Sequence, residues 1–223
     1  MSKRVLILVE GQTEERFVKD VLSPAFEPRD LYITPTILKT KIVKDGPNFK
    51  GGISSFAKFE IDLSALLRGS GGRVVTTLVD YYKLPKDFPG MNNRPIGSAL
   101  ARATHVELAL WSHFGSAPNL WPFLALHEFE AWLFSCPNTL PRLMTNRGQA
   151  NAFAAVCTGS TPPEEINEDV ATSPSHRIMG WFPEYQKPLH GPTAVARMGL
   201  GLVRSRCTHF DSWIRRFEAH AGA

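Results

Sequence analysis

The chain has 223 residues, 43% of them hydrophobic, and its 25 Lys and Arg exceed its 21 Asp and Glu to give a net charge of +4. This composition excludes a disordered or fibrous chain and predicts a folded protein with a substantial core. The first apolar run stops at Glu10, too early for a signal peptide, and no later run is long enough to span a membrane. Three widely spaced cysteines without a CxxC predict neither disulfides nor a structural zinc site. We therefore expect a cytoplasmic protein with no membrane contact.

The first predicted element is a short buried strand that ends on an acid. Residues 5–9 form an unbroken apolar run rich in branched side chains, which predicts a strand covered on both faces and ending at Glu10. Thr13 can cap the helix that follows, and Glu14 lies in its first turn, where acids are favoured. A carboxylate at a strand end and another one turn into a helix are a good start for a site that binds a hard cation.

The same pattern of strand, acid and helix occurs twice more. Residues 73–80 predict a β-branched strand ending at Asp80, and residues 119–127 predict an apolar strand that runs into Glu128 and Glu130. Residues 31–43 predict a further strand, and amphipathic helices are expected at 53–67 and 96–114. Strands alternating with helices predict an α/β fold with a mainly parallel sheet flanked by helices.

The second half of the chain differs from the first in composition. Prolines punctuate short helical pieces, residues 164–169 read as an acidic surface loop, and residues 193–219 read as helical, with Leu202 among the side chains expected to pack on the sheet. We predict two parts: a core over residues 1–135, and a helical C-terminal extension over residues 136–223 that packs on it.

The acids at the strand ends are expected to form one site. Because the carboxyl ends of parallel strands share an edge, Glu10, Asp80 and the pair Glu128 and Glu130 can converge there. Carboxylates from different elements could hold one or two Mg2+ or Mn2+ ions, which activate water and neutralise charge on a phosphodiester. On a helix, side chains two positions apart diverge by roughly 200°, so we expect only one acid of the pair to be a direct ligand. Any one acid by itself is more often simply solvated.

Three motifs at these strand ends resemble one family. They are Val9-Glu-Gly-Gln-Thr-Glu14, Leu78-Val-Asp-Tyr-Tyr82 and His127-Glu-Phe-Glu-Ala-Trp-Leu-Phe134, and with later segments they resemble the DUF4276 family over nearly the whole chain. We regard this family as Toprim-like and related to the nuclease parts of OLD-type and RloB-type proteins. The resemblance implies a Toprim-like core in which Glu10 and Asp80 bind Mg2+.

The residue patterns and the resemblance together suggest roles for individual residues. A second Toprim motif is Asp-x-Asp, but Asp80 is followed by Tyr81 and Tyr82, so Glu130 is the candidate to replace the missing aspartate. The expected catalytic residues are Glu10, Asp80, Glu130 and Lys187. The expected ligands of Mg2+ (or Mn2+) are Glu10, Glu14, Asp80, Glu128 and Glu130. The expected contacts to nucleic acid come from Lys44, Lys50, Lys83, Arg177, Lys187 and His190.

These assignments lead to one expected function and two alternatives. The first is a Mg2+-dependent nuclease with DNA as the expected substrate, acting as the effector of an anti-phage defence system. The resemblance implies an ABC-type ATPase as a partner, because such proteins are often encoded together, and leaves oligomerisation open; the chain itself lacks a phosphate-binding loop for ATP. The second is a non-catalytic Toprim-like subunit that docks on the ATPase, favoured by the missing aspartate. The third is phosphotransfer or hydrolysis of a small molecule at the same acids.

Overall fold

A parallel sheet organises the part of the chain that the structure, a computed structural model, describes: residues 2–39, 53–82, 84–166 and 172–223. The strands lie in the order β2-β1-β3-β4, β5 also pairs with β3, and every pairing is parallel. Their bounds are β1 Lys3–Val9, β2 Leu31–Ile37, β3 Val74–Asp80, β4 Leu120–Trp121 and β5 Leu124–Ala125. The predicted α/β fold with a mainly parallel sheet is confirmed.

Helices cover both faces of this sheet. The α-helices are α1 Gln12–Phe17, α2 Ser23–Phe26, α3 Phe56–Gly69, α4 Ala99–His113, α5 Ala150–Cys157, α6 Pro174–Trp181, α7 Lys187–Met198, α8 Leu200–Arg206 and α9 Thr208–Gly222. A π-helical turn, Val18–Leu22, joins α1 to α2, and 3-10 helices occupy Glu27–Arg29, Phe129–Ser135, Pro141–Leu143 and Pro163–Glu165.

The alternation of side chains along the strands builds two separate cores. On one face, Val5 and Ile7 of β1 pack with Phe17 of α1 and with Trp213 and Phe217 of α9. The next residues along the same strands point to the other face, where α3 and α4 cover them. Because both faces are buried, β1 and β3 had to be apolar almost throughout, which is the pattern that predicted them. The C-terminal helices share the first of these cores; the division of the chain near residue 135 remains a prediction.

Two strand predictions differ from the structure in extent. The strand expected over 119–127 is two short strands, because Pro122 has no N–H for the ladder. The Thr77 hydroxyl bridges the break: it donates to the carbonyl of Phe123 at 2.7 Å and accepts from its N–H at 2.9 Å. The strand expected over 31–43 ends at Ile37, and its predicted end from residue 40 lies outside the described residues.

Two predictions for the C-terminal half are wrong. Leu202 is 39% exposed and does not belong to the core, since it lies on the outer side of the short helix α8. Glu164 was expected in a surface loop but is 2% exposed, and its two oxygens accept from the backbone N–H groups of His209 and Phe210 at 2.9 and 3.0 Å. Both N–H groups belong to the first turn of α9, where the helix itself supplies no acceptor. Glu164 therefore stabilises the start of that helix from a distant segment.

Candidate functional site

The candidate site lies where the strand order reverses. From β1 the sheet extends to β2 on one side and to β3 on the other, and such switch points form a crevice beyond the carboxyl ends of the strands. Glu10 directly follows β1, and its own N–H continues the ladder by donating to the carbonyl of Leu78 at 3.2 Å. The Oε2 atom of Glu10 accepts from the N–H of Asp80 at 3.1 Å. The first two predicted acids are therefore neighbours at one edge of the sheet.

Glu14 joins this edge because it closes the turn between β1 and α1. Its Oε2 atom accepts from the N–H of Gly11, the residue before α1, at 2.9 Å and so satisfies a backbone donor at the helix N-terminus. The side chain is only 6% exposed, so this carboxylate faces the interior of the site and not solvent.

A left-handed residue brings in the acids that follow β5. His127 has a φ of 64°, which costs a residue with a Cβ on the order of 1 kcal/mol, and its carbonyl accepts from the N–H of Tyr82 at 2.8 Å. Beyond this turn the N–H of Phe129 donates to Oδ1 of Asp80 at 2.9 Å. Glu128 accepts from the N–H of Ser175, in the first turn of α6, at 2.8 Å. The turn at His127 thus directs Glu128 and the following 3-10 helix across the end of β3.

Glu130 is the most enclosed of the acids, with 1% of its surface exposed. Its Oε1 atom accepts from the hydroxyl of Tyr185 at 3.3 Å, and its Oε2 atom lies 3.2 Å from the ammonium group of Lys187. Arg16 of α1 donates to the carbonyl of Pro188 at 3.0 Å and ties the start of α7 to this side of the site. Lys187 therefore approaches the acids from a segment 57 residues away along the chain.

Burial and mutual repulsion raise the pKa values of the clustered acids. Burial is the larger cause for Glu10, Glu14, Asp80 and Glu130, and neighbouring carboxylates add to it. The pKa of Glu14 reaches about 8, and that of Asp80 lies well above its ordinary value. Burial works against the charged form of Lys187, but Glu130, Glu128 and Asp80 outweigh it and raise the pKa of this lysine. The site thus holds more carboxyl groups than its nearby lysine can balance in their ionised form, so without a further cation the most perturbed acids retain protons near neutral pH.

The chemistry of these groups fits a hard divalent cation. All are oxygen donors, and in Glu10, Asp80 and Glu128 one oxygen is held by a backbone N–H while the other accepts no hydrogen bond from the described part of the chain. Within that part, no three His, Cys, Asp or Glu side chains are already arranged as a ligand set. The free oxygens would therefore have to rotate toward a shared cation.

The predicted nucleic-acid contacts are placed only in part. Lys44, Lys50 and Lys83 lie outside the described residues. Arg177 donates through Nε to the carbonyl of Thr172 at 2.8 Å, on the helix whose first turn binds Glu128. His190 lies on α7, one turn after Lys187, and its Nδ1 atom accepts from the N–H of Gln186 at 2.9 Å.

One residue of the site was missed by sequence reasoning. Tyr185 is buried against Glu130, and burial together with that acid raises its pKa well above the ordinary value, so its hydroxyl stays protonated and donates. Its position two residues before Lys187 is the only local signal that could have pointed to it.

These features define an α/β protein with a buried acidic centre at the switch point of a parallel sheet. Residues 9–218 match DUF4276, described as a domain of unknown function, and the chain belongs to that family. No curated protein and no solved structure matches the chain. None of the helices in the described ranges is both long enough and apolar enough to cross a bilayer.

Proposed function

We propose that this protein is a Mg2+- or Mn2+-dependent nuclease of Toprim-like type. The observation that supports the proposal most is the gathering of five carboxylates from separate segments around the ends of β1 and β3, with Lys187 beside them. Buried like charges destabilise a fold unless something compensates them, so their collection in one crevice favours a role in binding cations.

The acids have two proposed roles: most are metal ligands, and one positions the lysine. Glu10, Asp80 and Glu128 are each fixed through one oxygen and could offer the other to the cation, with Glu14 beside them. Bound Mg2+ would supply a water of lowered pKa and neutralise charge on the phosphate. Glu130 uses both of its oxygens to hold Tyr185 and Lys187, so it sets the position of the lysine in addition to adding charge.

Lys187 is suited to bind phosphate and not to accept a proton. Its raised pKa keeps the ammonium group charged at neutral pH, and 38% of its side chain remains exposed and open to a substrate. A fixed cation beside a divalent ion stabilises charge that develops on a phosphodiester during cleavage. Arg177 and His190 lie on the two helices that frame this side and are proposed to contact the nucleic-acid backbone.

The wider setting follows the family resemblance. We propose DNA as the substrate, the cytoplasm as the location and an ABC-type ATPase as a partner, with the protein as the effector of an anti-phage defence system. The Toprim relationship is part of the same proposal, and so is the replacement of the missing aspartate by Glu130.

A cleavage assay on labelled DNA, with Mg2+ or Mn2+ and with EDTA, tests the proposal. We expect Glu10→Gln and Asp80→Asn to lower the rate at least about a hundredfold, since each removes a charged ligand. Glu15→Gln is the matched control, because Glu15 lies beside Glu14 on α1 but pairs with Lys19 away from the acids. Full activity of the correctly folded Glu10 and Asp80 variants would show that these acids are not the catalytic centre.

The second candidate is a non-catalytic subunit that keeps this fold and docks on an ATPase. It is favoured by the lack of a ready-made ligand set within the described residues. Calorimetry separates the two: the nuclease proposal expects Mn2+ binding that Asp80→Asn abolishes, whereas a docking subunit expects no such binding and no metal-dependent cleavage.

A further inference from the structure

A second groove lies at the opposite end of the sheet from the acids. It has a volume of about 480 Å³ and is lined by Ser2, Lys3, Arg4, Gly71, Gly72, Arg73, Val74 and His220. These residues come from the starts of β1 and β3, the turn before β3 and the last turn of α9. Strand β1 has seven residues, so the groove is roughly 20 Å from the acidic site.

Two arginines are neighbours in this groove. Val5 and Val74 are aligned in the pairing of β1 with β3. Arg4 precedes Val5 within β1 and Arg73 directly precedes β3, so their backbones lie about 5 Å apart and their side chains leave from the same face. Both side chains are exposed, and neither has a salt bridge within the described residues. Like charges directly opposite each other destabilise a sheet, so this pair favours an anion between them.

The rest of the groove adds no negative charge that would offset the two arginines. Lys3 donates to the carbonyls of His220 and Ala221 at 2.7 and 3.3 Å, which neutralises the negative C-terminal end of α9. Burial and the nearby Lys3 lower the pKa of His220, so its imidazole stays neutral and does not add to the repulsion. Among the described residues that line the groove there is no Asp or Glu to compete for the arginines.

We propose that this groove binds phosphate groups of a nucleic-acid strand, without metal and separately from the acidic site. The open position of both arginines suits a backbone that passes across them better than a small ligand, which would be largely enclosed. Tyr32 is aligned with Arg4 on the neighbouring strand and is 42% exposed, so it offers a ring for base stacking beside the phosphate contact. The choice of nucleic acid as ligand rests on the proposed nuclease function.

Fluorescence anisotropy with a single-stranded oligonucleotide of about 30 nucleotides, in EDTA, tests this groove apart from cleavage. The double variant Arg4→Gln/Arg73→Gln should bind about tenfold more weakly at about 50 mM salt, and its salt slope should be shallower by about 1.4. Arg68→Gln, an equal loss of charge at an exposed site outside the groove, should bind as the parent does. The two single variants should each show about half of the change in slope, and circular dichroism checks their fold.

The groove and the acidic centre can fail independently. Glu15→Gln, at an acid that pairs with Lys19 and belongs to neither site, should retain full affinity in EDTA. Unchanged affinity and salt slope in the double variant would overturn the proposal that this groove binds nucleic acid, even if metal-dependent cleavage is found. Displacement of the oligonucleotide by an equal concentration of inorganic phosphate or a mononucleotide would also overturn it, since the ligand would then be a small anion.

Discussion

Replacing Glu14 with glutamine should stabilise the metal-free protein. The pKa of Glu14 is raised from 4.5 to about 8 by burial and by Glu10. One pKa unit corresponds to about 1.4 kcal/mol, so full ionisation of Glu14 costs the folded state on the order of 5 kcal/mol. Glutamine removes the charge and keeps an oxygen to accept from the N–H of Gly11. The repulsion is shared among several acids, and a buried amide has its own desolvation cost. We therefore expect Glu14→Gln to raise the free energy of unfolding by about 1–3 kcal/mol.

The pH dependence of this gain has a definite sign. The folded pKa of Glu14 is above the unfolded one, so the stability it contributes is fully present below pH 4.5 and is lost as the pH rises through about 8. The parent and Glu14→Gln should therefore be close in stability near pH 5 and should diverge most above pH 8. This gain in the free energy of unfolding corresponds to a rise of about 2–12 °C in melting temperature for a chain of this size.

Urea unfolding in EDTA at the two pH values, followed by circular dichroism, measures the effect. Glu15→Gln is the control on the same helix, and it should change stability little at either pH because Glu15 pairs with Lys19 at the surface. Saturating Mg2+ at the higher pH should stabilise the parent more than the variant and so reduce or reverse the gain. The reasoning is refuted if Glu14→Gln is less stable than the parent above pH 8, or if its advantage does not grow with pH.

Three further predictions concern the same molecule. Mg2+ or Mn2+ should raise the melting temperature more above pH 8 than at pH 6, because deprotonated carboxylates are the ligands. Lys187→Met should lower cleavage about a hundredfold or more and destabilise the fold by about 1–3 kcal/mol, since it leaves the buried Glu130 without its cation, while Lys187→Arg should recover part of both losses. Trp213→Phe should cost about 1–2 kcal/mol, because it removes the 2.9 Å bond from the indole N–H to the hydroxyl of Thr76 but keeps the stacking on Phe123.

Separate measurements check these three outcomes. Differential scanning fluorimetry measures the rise in melting temperature that the metal causes. An equally large rise in the Asp80→Asn variant would contradict the prediction. Single-turnover cleavage and urea unfolding follow the Lys187 variants, and Lys19→Met serves as a control at an exposed lysine. For Trp213→Phe, urea unfolding should show the loss while cleavage stays unchanged; a loss of activity at full stability would show that the assigned structural role is wrong.

Much of the site could be predicted because its acids follow strongly patterned strands. The apolar run that ends at Glu10 and the one that ends at Asp80 each encode a strand buried on both faces. Once the sheet is parallel, its geometry puts both ends at the same edge, and the hydrogen bond from the N–H of Asp80 to Glu10 confirms that they meet. Local sequence carried this information because a strand is recognised by its own side chains.

Other features depended on contacts between distant segments. Nothing near Glu164 indicates that it holds the start of a helix 45 residues later, and it was wrongly expected at the surface. The partners of Glu128 and Glu130, at Ser175 and Tyr185, lie 47 and 55 residues away. Burial periodicity describes which face of an element is covered, but it does not say which segment covers it.

The sequence by itself determined the class of fold, the strands β1 and β3, and the acids at their ends, because periodicity and strand-end residues are local properties. Tertiary structure alone decided the environment of those acids. It placed Tyr185 and Lys187 against Glu130, raised the pKa values of the carboxylates by burying them together, and set Arg4 beside Arg73 at the other end of the sheet. These properties arise only when helices and strands far apart in the chain exclude water from the same small volume.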